Sequence, residues 1–179
     1  VLGTYILKYI IRDESGNQTT KNRVVIIRDT QIPVINNTDA DMNNEIKVQI
    51  VSFFIDRTKV VDNYDVPQLV VTPGPLGPVD TRFKGRYTLF YDAKDGSGNS
   101  AVRKSYTYVV EDYIKPTIVL NSLDTVVWPV NQLYTPIEAS VFDNYYDVSQ
   151  VSLTMTSNVV FYKIGLYWDE FTATDGSGN

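Results

Sequence analysis

Apolar and polar residues alternate along most of this chain. Tyr5, Leu7, Tyr9 and Ile11 fall on one side of a period-two pattern, and Tyr87, Leu89, Tyr91 and Ala93 do the same, interleaved with Thr88, Phe90, Asp92 and Lys94. A period of two puts successive side chains on opposite faces of a strand. The same reading predicts strands at Gln18–Ile27, Glu45–Phe54, Thr58–Val61, Gln68–Thr72, Val79–Lys84 and Ser105–Val110. Further along it predicts Thr117–Leu120, Thr125–Val130, Ala139–Phe142, Val148–Thr154 and Val159–Ile164. No stretch carries a helical period. Short strands broken by turns about every ten residues predict an all-β protein built as an antiparallel sandwich.

The punctuation between strands repeats. "DGSGN" stands at Asp95–Asn99 and again at Asp175–Asn179, and "DESGN" at Asp13–Asn17. Before each phrase comes the same run, giving G-x-Y-x-x-x-[YF]-x-x-x-D-x-S-G-N from Gly3, Gly85 and Gly165. The spacings are 82 and 80 residues. "DNYD" at Asp62–Asp65 is answered by "DNYYD" at Asp143–Asp147, and D-x-x-x-P recurs at Asp29–Pro33 and Asp112–Pro116. Three patterns in one order with one period make a tandem array. A period near 80 suits a small domain better than a solenoid unit. On this reading residues 1–30 hold the last two strands of a partial module, 31–112 a complete module, and 113–179 a module lacking its final strand.

Composition then removes function classes. The 179 residues include no cysteine and no histidine, so disulfides, thiolate zinc sites and His-based catalytic triads or dyads are excluded. A formal net charge of −5 argues against a nucleic-acid partner, since phosphate neutralisation needs clustered cations. No apolar run approaches the about 20 residues of a membrane helix, so no membrane insertion is expected in this segment. A first residue of valine suggests a processed or partial segment, with any export signal outside it.

G-x-Y-x-x-x-Y-x-x-x-D-x-S-G-N, followed by a strand, D-x-x-x-P and a later D-N-Y-D, resembles the bacterial immunoglobulin-like repeats related to hyalin repeats. Those repeats occur in tandem in surface adhesins and as appendages on some pesticidal crystal proteins. The resemblance covers the whole chain. It implies seven-stranded immunoglobulin-like modules in an extracellular or cell-surface setting, with no catalysis. The G-x-Y element looks like the tyrosine corner of immunoglobulin domains. One departure is Asp169, a carboxylate where Leu7 and Leu89 put an apolar side chain on the inward face.

The joints between modules, Arg28–Pro33 and Glu111–Pro116, are short and end in proline, which fixes φ and favours modules placed end to end. In an antiparallel sandwich, loops after even numbers of strands return to the entry pole. That parity groups Asp62 and Asp65 with Asp95 and the linker Asp29. One module on, it groups Asp143 and Asp147 with Asp175 and Asp112. Hard oxygen ligands on converging loops are what Ca2+ takes, typically six to eight at ~2.3–2.6 Å. The alternative is that these carboxylates are solvated and cap their own turns.

Other features have a structural and a functional reading. Pro73–Pro78 reads as a crossover between sheets or as a proline-rich recognition segment. Tyr64, Tyr145 and Tyr146 either pack against an adjoining module or stack on a glycan. Asn17 and Asn36 open glycosylation triplets that are common by chance. Paired aspartates can serve glycoside hydrolysis, but here they lie in repeated turns. The sequence is best read as a non-catalytic spacer of a stalk or filament, whose partners are neighbouring modules of the same or adjacent chains. The alternatives are an adhesin module that binds glycan or a host surface, and an accessory domain of a secreted enzyme or toxin.

Overall fold

The computed structural model describes all 179 residues and is all-β. In chain order the strands are β1 (Gly3–Arg12), β2 (Gln18–Ile27), β3 (Val34–Asn36), β4 (Glu45–Gln49), β5 (Lys59–Val61) and β6 (Gln68–Pro73). They continue as β7 (Gly85–Lys94), β8 (Lys104–Glu111), β9 (Thr117–Leu120), β10 (Ala139–Phe142), β11 (Ser152–Ser157) and β12 (Asp169–Thr174). The one helical element is a three-residue 3-10 turn, Val148–Gln150. β4, β8, β7 and β6 form a four-stranded sheet in that order, and the remaining strands pair as β1–β2, β3–β5, β9–β10 and β11–β12. Several small sheets of this kind are compatible with a β-sandwich.

Two compact units divide the chain. The first comprises Val1–Glu45, Asp56–Pro78 and Thr88–Thr107, and its interior is built on Ile35, Leu89, Tyr91, Ala93 and Tyr106. Tyr91 meets Tyr106 edge-on at 5.5 Å between centroids and donates its hydroxyl to Asp56 Oδ2 at 2.8 Å, so the ring is buried while its polar tip is satisfied. The second unit comprises Ile46–Ile55, Val79–Tyr87 and Tyr108–Asn179, with Ile46, Ile50, Tyr87, Tyr108, Val110, Val141 and Val151 buried.

The alternation in β7 is read out as written, with Tyr87, Leu89, Tyr91 and Ala93 buried. In β1 the same alternation buries nothing, and all ten residues are exposed. Periodicity marks a face, and only packing covers it.

Three expected strands are turns instead. In Val79–Lys84, Asp80 accepts the Arg82 N–H at 3.0 Å through Oδ1 and the Phe83 N–H at 3.4 Å through its carbonyl. The chain therefore bends where the valine and phenylalanine suggested extension. Thr125–Val130 contains Pro129, which has no N–H for a ladder, and Asn131 follows at φ 63°. Val159–Ile164 closes on itself through Lys163 N–H to the Val160 carbonyl at 3.1 Å.

Each G-x-Y element folds alike. Tyr5, Tyr87 and Tyr167 donate their hydroxyls to the carbonyl four residues upstream, on Val1, Phe83 and Lys163, at 2.8, 3.2 and 3.0 Å. This is the bond that defines a tyrosine corner. The ring turns back over the glycine: a Cβ on Gly85 would lie 3.3 Å from the Tyr87 ring, and one on Gly165 3.0 Å from the Tyr167 hydroxyl.

Asp169 also finds its reason. It accepts the hydroxyl of Tyr134, whose ring stands edge-on to Trp128 at 5.3 Å. Burial, with the carboxylate beside it, pushes the Tyr134 hydroxyl up to about 12.

Candidate metal centres

The repeated phrase builds the same loop three times. Its Asp N–H donates to the Asn carbonyl, at 3.0 Å in Asp13–Asn17, 3.0 Å in Asp95–Asn99 and 3.2 Å in Asp175–Asn179. The second glycine takes φ of 86°, 94° and 86° at Gly16, Gly98 and Gly178, a region that penalises any Cβ. The closing Asn does not use a left-handed backbone. It works through its side chain. Asn99 donates its backbone N–H to Asp95 Oδ1 and its amide to Asp95 Oδ2, each at 2.7 Å. Asn179 holds Asp175 in the same way at 2.9 Å and 2.9 Å.

The same amides reach the segments Arg28–Pro33 and Glu111–Pro116. Asn99 Nδ2 donates to the Asp29 carbonyl at 3.4 Å, and Asn179 Nδ2 to the Asp112 carbonyl at 3.0 Å. Neither asparagine is singled out by composition or turn chemistry. The signal that points to them is their presence in all three phrases, at a position a turn does not require.

Within the first unit, carboxylate oxygens of Asp29, Asp62 and Asp95 lie within 4.8 Å of one another. Within the second, those of Asp112, Asp143 and Asp175 do the same. Oxygens that share one ion at ~2.4 Å can stand no further apart than about 4.8 Å, so both triads fit a single hard cation. Each aspartate is fixed by its own turn. Asp29 Oδ1 accepts Gln31 N–H at 3.0 Å, and Asp112 Oδ1 accepts Ile114 N–H at 3.2 Å. Asp62 Oδ2 accepts Tyr64 N–H at 3.0 Å, and Asp143 Oδ1 accepts Tyr145 and Tyr146 N–H at 2.9 Å each.

Burial makes the clusters costly as they stand. Asp29, Asp95, Asp112 and Asp175 are at most 9% exposed. Asp29 Oδ2, Asp62 Oδ1, Asp112 Oδ2 and Asp143 Oδ2 are buried without any hydrogen-bond partner. No lysine or arginine salt-bridges any of the six. Buried carboxylates are normally paired or bound to metal, because an uncompensated charge away from water is unfavourable. Burial pushes the Asp95 carboxyl up, yet the Asn99 side chain and the backbone donors of Asn99, Gly98 and Ser97 outweigh it and hold it below the usual range. Asp175 is held low in the same way by Asn179, Ser177 and Gly178. Asp95 and Asp175 thus favour the ionised form that a cation needs. Two buried aspartate triads able to hold a metal ion are therefore present.

Asp65 and Asp147 are not in the triads. Asp65 stands beside the first, with Oδ2 accepting the Gly96 N–H at 2.8 Å and Oδ1 buried and unpartnered. A Cβ at Gly96 would collide with that carboxylate, which explains the first glycine of the phrase. Asp147 is displaced one place by the additional Tyr146. It opens the 3-10 turn, where its N–H donates to Gln150 Oε1 at 3.2 Å. Tyr146 takes the space instead, with its ring 2.6 Å from where a Cβ on Gly176 would be. Tyr145 and Tyr146 lie on Lys84, whose Nζ is 5.2 and 4.9 Å from their ring centroids.

Comparison with protein-family models, with curated proteins and with solved structures found nothing that matches this chain.

Proposed function

We propose that this chain is a non-catalytic structural segment of a tandem immunoglobulin-like array, of the kind that projects from a bacterial cell surface as a stalk or filament, and that Ca2+ fastens its linkers. One observation carries the reading. The same triad, with one aspartate from a linker and two from loops, forms twice at the period of the sequence repeat. A binding or catalytic site is usually singular, whereas a joint recurs wherever modules meet. The three tyrosine corners support the immunoglobulin-like reading of each copy. Oxygen-only donors, with buried lone pairs left over, suit Ca2+ better than zinc or copper, which favour nitrogen and sulfur. The ion would neutralise carboxylates that otherwise repel, and would tie Asp29 to the Asp62 and Asp95 loops.

The test is thermal unfolding of the chain in millimolar calcium chloride and in EGTA. A ligand that binds only the folded state stabilises it by mass action, by about 2.7 kcal/mol at a hundredfold excess over Kd. Calcium should raise Tm, and the sextuple Asp→Asn variant of both triads should lose the response. An unchanged Tm in wild type would remove calcium from this reading.

A further inference from the structure

The two triads share a geometry but differ in charge and in surroundings. Outside the Asp29, Asp62 and Asp95 triad a fourth carboxylate, Asp65, accepts the N–H of Gly96, the residue after Asp95, and keeps a buried Oδ1 without a partner. Asp29, more than nine-tenths buried, likewise keeps Oδ2 free, and its Oδ1 accepts a single backbone donor, Gln31 N–H.

Around Asp112, Asp143 and Asp175 the balance is reversed. Tyr146 replaces the fourth carboxylate. Asp112 Oδ2 is free in a side chain only 2% exposed, but Oδ1 already accepts Gln49 Nε2 at 2.7 Å, Ile114 N–H at 3.2 Å and Asn144 Nδ2 at 3.4 Å. A protein cation also sits on these loops. Lys84 Nζ donates to Ser177 Oγ at 2.8 Å and to the Tyr146 hydroxyl, and lies 3.5 Å from Glu111 Oε2. Ser177 N–H in turn donates to Asp175 Oδ1 at 2.8 Å. The residue corresponding to Lys84 is Leu2 in the first copy and Ile164 in the third, so this ammonium belongs to one joint alone.

Resting on the reading of the triads as Ca2+ sites, we infer that the two sites fill in order: the Asp29–Asp62–Asp95 site binds first, and the Asp112–Asp143–Asp175 site, already part-neutralised by Lys84, binds at higher Ca2+. Affinity for Ca2+ follows the charge that surrounds the ion as well as its ligands. Asp65 beside the first site and Lys84 beside the second act in the same direction, and are offset in part by Lys94, whose stem lies 3.9 Å from the Cβ position of Gly98, and by Glu111, 3.5 Å from Lys84. Each unit charge a few ångströms from a divalent ion changes its affinity by roughly tenfold even at the dielectric of water, and by more where water is excluded.

Calorimetric titration of the full chain with calcium chloride tests this. Two steps separated by roughly tenfold or more in Kd are expected. Asp62→Asn should abolish the tighter step and Asp143→Asn the weaker. Lys84→Met, which keeps the aliphatic stem but removes the charge, should tighten the weaker step and narrow the gap. Asp65→Asn should narrow it from the other side, and it serves as the second test if Lys84→Met does not fold. Two steps of equal affinity, or a tighter step that disappears in Asp143→Asn, would overturn the ordering while leaving the Ca2+ reading intact. No calcium-dependent heat in wild type would overturn both.

Discussion

Asn99 donates three hydrogen bonds where a turn residue needs none, two to Asp95 and one to the Asp29 carbonyl. Asn99→Ala should therefore cost about 1–3 kcal/mol in urea unfolding, because it strips the side-chain amide from the buried Asp95 carboxylate and from the Asp29 carbonyl while the backbone N–H stays. Asn17→Ala, in the exposed copy of the phrase, should stay within about 0.5 kcal/mol. Equal costs at the two positions would show that the linker contact contributes nothing. Tyr134 supplies a second case. Its hydroxyl is raised to about 12, so the proton it shares with Asp169 stabilises the fold fully below pH ~10. That contribution is lost as pH rises through about 12. Absorbance near the tyrosinate band should show a late-titrating component that loses one tyrosine in Tyr134→Phe. The same variant should lower stability by about 1–3 kcal/mol, since Asp169 then has no donor.

Strands with a clean apolar alternation were legible before the fold was known: β1, β7 and β8 lie close to where the period places them. Segments that were β-rich in composition but carried a turn device were not. Asp80 in Val79–Lys84 and Pro129 in Thr125–Val130 outweigh the valines around them, because a local hydrogen bond or a missing donor acts before any sheet partner arrives. The Asp80 turn makes its own prediction. Hydrogen bonds from Arg82, side chain first, lower the Asp80 carboxyl to about 2. It should titrate there by NMR, and Arg82→Ala should return it towards 3.8. A depressed carboxyl adds stability above its ordinary value and loses it as the pH falls through about 2. The carboxylate clusters were legible in outline, since strand parity pointed to Asp29, Asp62 and Asp95. Asp147 was not, because one inserted tyrosine moves a side chain out of a site without altering the motif's appearance.

For the molecule as a whole, charge and connectivity matter most. Two divalent ions would take the formal net charge from −5 to −1, so the chain should elute earlier from an anion exchanger in calcium than in EGTA. Connectivity has a mechanical side. The Asn99–Asp29 and Asn179–Asp112 bonds join residues 70 and 67 positions apart. Asp29 and Asp112 are thus each pinned to a point far along the chain, and a pulling force that entered there would bypass the intervening polypeptide until the pin failed. When it does, extended chain of up to about 3.3–3.6 Å per residue is released, roughly 230–250 Å for the first and 220–240 Å for the second. A chain under tension would then lengthen in sawtooth steps and dissipate work rather than snap. In single-molecule stretching, calcium should raise the force of each step and leave its length unchanged.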